Sequence, residues 1–247
     1  FVTKREDLRT AEEAVNSSRT REDTLQILSK VVDNWAYITG LAKKRMMHEG
    51  HRLIRYKDHS IEIETHDPMT ELHKRLVSRL GQNSYLNRFI SVFERRVAVP
   101  IAQVMQDSRY VVRAHGDAYL WNFLEDGKVL DREGAMLAGV DKDLSSMLEM
   151  PGLYEEDIQS LFREGTERYQ KYSGIVLNQA VLERLSRSSR ILNAFCTFGS
   201  MLAVKKDRDK SLVMLNRAGR LTEDEPELKE AFLDYVAHSK LYKLVET

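Results

Sequence analysis

The sequence predicts a mainly α fold, an elongated helical assembly with one or two small β-hairpin insertions. Only 12 glycines and 4 prolines interrupt the 247 residues. Charged residues make up 31% of the chain and hydrophobic residues 42%, which is typical of helices with one solvated face. Apolar residues also recur at spacings of three and four, the period of an amphipathic helix. These observations favour helices packed into one large domain or two small ones, each with its own core.

The N-terminal region predicts a short helix followed by a long one. Thr3 with Glu6 and Thr20 with Asp23 each place a capping hydroxyl three residues before an acid, a pattern that marks helix starts. We expect the first helix to end around Asn16 to Ser18.

The second helix is predicted to run from Arg21 to about His48. Its apolar residues between Leu25 and Met46 form a broad stripe rather than a narrow seam. At about 1.5 Å per residue this helix would be roughly 40 Å long. A helix of that length predicts an elongated molecule.

Two stretches carry strand signals. Leu53–Tyr56 and the alternating residues Ile61–Glu64 predict a first hairpin. A second hairpin is predicted from Tyr110–Arg113 and Tyr119–Leu124, because both are rich in β-branched and aromatic residues and the turn Glu125–Lys128 contains an Asp-Gly pair.

Helix signals frame the rest of the chain. Asp67 followed by Pro68 indicates a cap and a first-turn proline, and Gly81 ends that helix. Pro100 is expected to kink or break the next helix because it lacks a backbone donor. Thr222 is expected to cap the last helix. Breaks between the C-terminal helices are predicted at Ser173-Gly174, Ser186 to Ser189, Lys206 to Asp209, and Leu221 to Pro226.

Domain boundaries are not sharp in this pattern. We divide the chain into residues 1–150, which hold the long helix and the hairpins, and residues 151–247, a helical tail. The chain begins at Phe1 rather than Met, so we expect a fragment or a processed form.

Composition excludes several classes of function. Basic and acidic residues number 38 each, so no net field attracts a nucleic acid, which we do not expect as a partner. Cys196 is the only cysteine, which excludes an intramolecular disulfide and a cysteine-based zinc site. No window of 18 apolar residues occurs, so membrane insertion is not expected.

Catalytic patterns do not occur in the sequence. The Walker spacing, the dinucleotide fingerprint, the nucleophile elbow and the zinc-protease histidine pair are all missing, so we predict neither an enzyme nor a cofactor. Acid pairs such as Asp141 with Asp143 are interpreted as charged helix starts. Glu62, Glu64 and His66 share one face of a predicted strand, which we interpret as a solvated face.

An enzyme or ligand sensor remains the alternative function. It would use an unfamiliar pocket between the β insertions and the helices. The candidate groups for such a pocket are His59, Glu62, Glu64, His66 and His115.

Protein binding is the leading prediction, because the helix faces are broad and apolar. Large aromatic and aliphatic residues anchor such interfaces. The C-terminal helices, from Phe195 to Val245, are the predicted binding surface. The partner-binding candidates are Trp35, Phe232, Tyr235, Tyr242 and Leu244.

The stretch from Phe195 to Glu227 resembles one tetratricopeptide repeat, a two-helix unit. The matching residues on the first helix are Phe195, Phe198, Gly199 and Leu202, and on the second Leu215 and Ala218, while Thr222 to Pro226 resembles the polar turn that ends a repeat. Leu161 and Gly165 occupy matching places one repeat length upstream, about 34 residues earlier. The resemblance implies a scaffold that binds another protein.

The whole chain is also similar to spirochaetal periplasmic proteins that coat and coil flagellar filaments. The likeness rests on the long capped helix, the runs Asp67 to Lys74 and Leu124 to Asp131, and the helical tail. It implies a structural sheath protein of the periplasm, with other proteins or further copies of itself as partners.

Overall fold

The structure of the chain is a computed structural model that describes residues 8–49, 53–56, 59–62, 64–130, 136–149, 153–205 and 207–239. For residues 48–49, 53–56, 59–62 and 204–205 it describes the backbone alone. Most of the described residues are helical. A mainly α fold with a small β-hairpin insertion is therefore confirmed.

The helices and strands have the following bounds in chain order: α1 Ala11–Ser17, α2 Arg21–Glu49, β1 Leu53–Tyr56, β2 His59–Glu62, α3 Pro68–Leu72, α4 Ser78–Leu80, α5 Leu86–Phe93, α6 Val99–Met105, β3 Val111–Ala114, β4 Met136–Gly139, α7 Lys142–Leu148, α8 Glu155–Ser173, α9 Gln179–Ser200, α10 Arg208–Leu221 and α11 Pro226–Ala237.

These elements form two compact units. Unit 1 comprises the described residues of Phe1–His66, Ser108–Leu148 and Leu153–Asn178, and unit 2 those of Asp67–Asp107, Glu149–Gly152 and Gln179–Thr247. Each unit is thus built from separated stretches of chain, whereas the sequence analysis divided the chain once, near residue 150.

Helix caps in unit 1 follow the predicted chemistry. Thr20 accepts a hydrogen bond from the backbone N–H of Asp23 at 3.1 Å, so α2 begins where predicted. The helix α1 ends at Ser17, also as predicted, but its capping box is formed by Thr10 and Glu13. The earlier pair, Thr3 and Glu6, lies outside the described residues.

The helices α2 and α8 form the core of unit 1 and run parallel to each other. Arg21 contacts Asp157 at 2.7 Å, Ser29 contacts Glu164 at 2.7 Å, and Asp33 contacts Tyr172 at 3.2 Å, so residue numbers rise together along both helices. Glycines allow the close approach. A Cβ on Gly40 would lie 2.7 Å from Cβ of Tyr172, and one on Gly165 would lie 2.9 Å from Cγ1 of Val32.

The first predicted hairpin is present, but its second strand is His59–Glu62 rather than Ile61–Glu64. β1 pairs antiparallel with β2, with Leu53 opposite Glu62 and Tyr56 opposite His59.

The second predicted hairpin has a different partner. β3 pairs antiparallel with β4, and the predicted partner Tyr119–Leu124 instead contains a 3₁₀ turn at Leu120–Asn122. The turn at Glu125–Lys128 does form, because the N–H of Leu124 donates to the carbonyl of Lys128 at 2.8 Å. The pairing was mispredicted because β3 and β4 are distant in sequence, and local turn signals carry no information on distant pairing.

Unit 2 is a helical bundle with an aromatic core. Phe89 of α5 lies at its centre, and its ring is 5.2 to 6.1 Å from those of Phe93, Phe195, Phe232 and Tyr235. Phe195 of α9 and Phe232 of α11 stack at 3.8 Å. Such ring pairs stabilise by about 0.5–1.5 kcal/mol each beyond the apolar area they bury.

Turns of π-helix extend helices of unit 2, at His73–Val77, Glu94–Ala98 and Met201–Lys205. The second joins α5 to α6 and ends two residues before Pro100, the residue expected to kink or break this helix. The N–H of Val99 donates to the carbonyl of Glu94, five residues back. This wider turn lies next to the proline, which cannot donate to the ladder.

Two C-terminal boundaries differ from prediction. α9 continues through Ser186–Ser189, where a break was expected. Serine is only mildly unfavourable in a helix, and burial of Ser188 and Ser189 outweighs that preference. Thr222 follows α10 and its hydroxyl donates to the carbonyl of Ala218 at 2.8 Å, so it ends α10 rather than capping α11.

Candidate protein-binding surface

Unit 1 exposes large apolar side chains on α2 and in the loop after α8. Tyr37 and Leu41 lie one turn apart on α2 and are 48% and 37% exposed, Met47 is 61% exposed, and Val176 is 81% exposed. Single exposed apolar residues are common on proteins, whereas a group of them marks an interaction site. We call these four residues the apolar surface.

A cleft of about 300 Å³ is lined by two of these four residues. Met47 and Val176 both line it, so the two most exposed members of the apolar surface flank one concavity. The complete lining is Lys43, Met47, Ser108, Arg109, Ile175 and Val176. The cleft therefore combines an apolar wall with basic groups.

Lys43 fixes the wall of the cleft. Its side chain is only 1% exposed, and Nζ donates to the carbonyls of Ser108 at 2.5 Å and Val111 at 2.6 Å. Hydrogen bonds from a charged donor are shorter and stronger than neutral ones. This buried ammonium group ties α2 to the residues that lead into β3.

The loop that carries Val176 is held by side chains around it. The N–H of Leu177 donates to Oε1 of Gln170 at 2.7 Å, and the N–H of Asn178 donates to the hydroxyl of Tyr110 at 3.0 Å. The two residues after Val176 are thus fixed by hydrogen bonds, while the Val176 side chain remains exposed. Val176 could not be predicted from the sequence, because a lone valine between helices carries no periodic signal.

The predicted partner-binding residues that the structure describes lie in the interior. Trp35 is buried in unit 1, donates to Asp143 and contacts the ring of Tyr169 at 6.3 Å. Phe232 and Tyr235 are buried in the aromatic core of unit 2. These three side chains therefore serve internal packing. Tyr242 and Leu244 lie outside the described residues.

The C-terminal helices of unit 2 present a smaller set of exposed apolar residues. Leu212 and Val213 of α10 are 36% and 41% exposed, and Leu233 of α11 is 39% exposed. Among the described residues of this region, the exposed large apolar side chains are thus not Phe232 or Tyr235.

The candidate residues of an enzyme site are only partly described. Glu64 is exposed, whereas His66 is buried beside β4, where its N–H donates to the carbonyl of Leu137 at 2.7 Å. The interpretation of His66 as part of a solvated strand face is therefore wrong. The side chains of His59 and Glu62 lie outside the described part. Within the described residues, no group of three or more acids, histidines or cysteines could hold a metal ion.

His115 follows β3, and its backbone forms part of a buried polar site around Asp143. The Asp143 carboxylate accepts hydrogen bonds from the N–H groups of His115 at 2.7 Å and Gly116 at 3.2 Å, and from Nε1 of Trp35 at 3.3 Å. Asp141 directly precedes α7 and Asp143 lies in its first turn, so both acids stand at a helix start as interpreted, but both are buried. These donors explain why Asp143 is tolerated inside, since a buried carboxylate must be hydrogen-bonded.

Comparison of the chain with protein families, curated proteins and solved structures found no match. Among the described helices, each is too short or too polar to cross a lipid bilayer.

Proposed function

We propose that this chain is a non-enzymatic structural or scaffold protein that binds another protein chain through the apolar surface of unit 1. One observation carries the proposal: Met47 and Val176 are the residues of that surface most exposed to solvent, and they flank one cleft on a hydrogen-bonded frame. The free energy falls when a partner covers such groups, by about 25 cal/mol per Å² of apolar area removed from water.

The resemblances described above favour a filament or envelope assembly in the periplasm as the setting. In this proposal the helix pair α9 and α10 provides a second contact surface on unit 2. Its support is the packing of these two helices against each other and the burial of Phe195 and Ala218, two residues of the repeat-like pattern.

Site-specific photo-crosslinking in the native host tests the binding surface. A photoreactive phenylalanine analogue replaces Val176 in one strain and Val99 in another. Val99 is a matched control because it is an exposed valine, at 41%, that lies in unit 2 on α6. We expect a discrete protein adduct from position 176 that is lacking from position 99. The proposal fails if position 176 gives no adduct, or if both positions give the same adducts.

The filament setting has its own test. Purified flagellar filaments, or the envelope fraction, are probed for the protein before and after high-salt washing. We expect the protein to copurify with the filaments. Recovery of the protein only in the fraction without filaments would contradict the filament setting. The binding surface itself is tested separately, by the crosslinking experiment.

A further inference from the structure

The parallel packing of α2 and α8 gives unit 1 two ends of opposite charge. Both helices begin with acidic residues: Glu22 and Asp23 in the first turn of α2, and Glu155, Glu156 and Asp157 in the first turn of α8. Because the helices are parallel, these acids lie at the same end of the pair. Arg21 contacts Glu156 and Asp157 there, and Arg19 shortly precedes α2, so these five acids stand beside two bases.

The other end of the same pair is basic. Lys43, Lys44 and Arg45 stand near the end of α2, with Glu49 as the acid of its last turn, and Lys171 stands in the last turn of α8. The side chains of Lys44 and Arg45 are exposed. This basic end also holds the cleft with Arg109, Met47 and Val176.

The acidic end has a groove of its own. It lies between the first halves of α2 and α8 and has a volume of about 270 Å³. Its lining residues are Glu22, Leu25, Gln26, Ser29, Asp157, Ser160, Leu161 and Glu164. The groove thus has an apolar floor with acids around it, whereas the cleft at the basic end has apolar side chains with bases around it.

The two ends do not neutralise each other within one chain. Glu22 and Lys44 lie on the same helix, and at about 1.5 Å per residue they are separated by roughly 33 Å. That distance is several Debye lengths at physiological salt, where screening acts over about 8 Å. Each end therefore presents its charge to other molecules.

We propose that the basic end of unit 1 binds the acidic end of unit 1 in a second copy of this chain, head to tail. Met47 and Val176 of one copy enter the groove beside Leu25 of the next, and Lys44 faces Glu22. The occupant is argued from charge complementarity, which selects partners and orients them. The inference rests on the proposed function, because it names the partner of the apolar surface.

A head-to-tail contact uses different surfaces on the two copies, so each added copy leaves one free end of each kind. Such a heterologous interface extends into an open chain unless the rotation closes a ring. The expected assembly is therefore a linear filament whose axis follows α2 and α8.

Sedimentation velocity of the full chain is the first test. We expect the mean size to rise steadily with protein concentration, without stopping at a dimer. We also expect association to weaken strongly between about 0.01 M and about 1 M salt, over which the Debye length falls from about 30 Å to about 3 Å.

A mixing experiment identifies the interface. Variant B carries Lys44→Glu and Val176→Asp, and variant A carries Glu22→Gln and Glu156→Gln, so that the two altered ends carry no opposite charges for each other; all four residues are exposed. Each variant alone should associate at least about tenfold more weakly than the wild type. Mixed in equal amounts, they should form heterodimers that grow no further, because variant A keeps an intact basic end and variant B keeps an intact acidic end.

The matched control is Lys30→Glu, a charge reversal at an exposed position of α2 between the two ends. It should assemble like the wild type. Formation of the heterodimer also shows that both variants are folded, so loss of self-association in each alone cannot be ascribed to unfolding.

The outcomes separate this inference from the proposed function. A wild type that stays monomeric, or stops at a closed dimer, overturns the head-to-tail contact. If position 176 still crosslinks to a different protein, the proposed function stands with another partner. Linear growth with a crosslink from position 176 to a second copy supports both.

Discussion

The turn at Gly127 packs against the backbone of α2 in unit 1. Gly127 has φ +90°, and a Cβ placed there would lie 2.6 Å from the carbonyl oxygen of Lys30. Asn34 completes the contact by donating from Nδ2 to the carbonyl of Gly127 at 2.5 Å. The turn therefore requires glycine for two reasons, its backbone conformation and its lack of a side chain.

Gly127→Ala should destabilise unit 1 more than Gly174→Ala does. Gly174 also has positive φ, +75°, but among the described residues no atom would lie within 4 Å of a Cβ added there. Gly174→Ala should lower the free energy of unfolding by about 1–2 kcal/mol, because alanine disfavours the left-handed conformation. Gly127→Ala should lower it by the same amount and by about 1–3 kcal/mol more, because the added methyl group overpacks the contact. Urea unfolding monitored by circular dichroism measures both. Equal losses of stability in the two variants would show that the turn can move away from Lys30 without a cost in free energy.

Tyr235 makes the stability of unit 2 sensitive to alkaline pH. Burial raises its pKa to about 12, and its hydroxyl donates to the carbonyl of Gly81 at 2.9 Å. An unfolded tyrosine ionises near pH 10. Because the folded pKa is higher, the contribution of the neutral phenol is complete below about pH 10 and is lost as pH rises towards 12.

The comparison of wild type with Tyr235→Phe isolates this effect. At neutral pH the variant should be less stable by about 0.5–1.5 kcal/mol, the value of one hydrogen bond. The difference should shrink above about pH 10, since phenylalanine does not ionise. Unfolding free energies at a series of pH values provide the measurement, and a difference independent of pH would argue against a buried neutral Tyr235. Burial raises the pKa of Tyr169 as well, and that change is common to both proteins.

The pairing of α2 with α8 depends on glycine at the helix contact. Gly40 faces backbone as well as side chain, because its Cβ would lie 3.1 Å from the backbone nitrogen of Ser173. Neighbouring backbone cannot move as a flexible side chain can, and this makes the position intolerant of a methyl group. Close packing of the two helices therefore requires glycine here, although glycine has a low intrinsic helix propensity.

Gly40→Ala and Gly219→Ala should change stability in opposite directions. Both glycines are helical, so both alanines gain up to about 1 kcal/mol in helix propensity. At Gly219 the only neighbour among the described residues is Cε of Lys229 at 3.9 Å, so the gain is retained. At Gly40 overpacking of about 1–3 kcal/mol should exceed it. Thermal unfolding of the two variants checks the sign, and stabilisation by Gly40→Ala would refute the close contact.

At the scale of the whole molecule, each unit is assembled from separated stretches of chain. Within unit 2, a Cβ on Gly199 of α9 would lie 2.8 Å from the carbonyl oxygen of Arg75, which belongs to the π turn after α3. The aromatic core of the same unit joins Phe89 of α5 to Phe195 and Phe232. The C-terminal helices therefore complete a core to which earlier residues contribute.

A fragment of residues 151–247 should not fold cooperatively by itself. It lacks α3 to α6, including Phe89 and Phe93, so α9 and α11 would expose the apolar faces that those rings cover. We expect weak helicity and poor dispersion in its NMR spectrum. Adding the fragment 1–150 should restore folding. A fragment 151–247 that unfolds in a sharp transition alone would contradict this view of unit 2.

Much of this fold could be predicted from the sequence alone, because many of its features depend on local interactions. The caps at Thr20 and Asp67 and the ends at Ser17 and Gly81 lie where predicted. The hairpin of β1 and β2 forms as predicted, with β2 two residues earlier than expected. Each of these features depends on hydrogen bonds between residues a few positions apart. The absence of known catalytic patterns is likewise a property of the sequence.

Tertiary structure decided which apolar residues are buried and which distant segments meet. The sequence pattern does not separate Trp35, Phe232 and Tyr235, which are interior, from Met47 and Val176, which are exposed. It also contains no sign that Asp143 would be buried with donors from two other segments. Burial and long-range pairing are set by the summed packing of elements far apart in the chain, and no local window of residues contains that information.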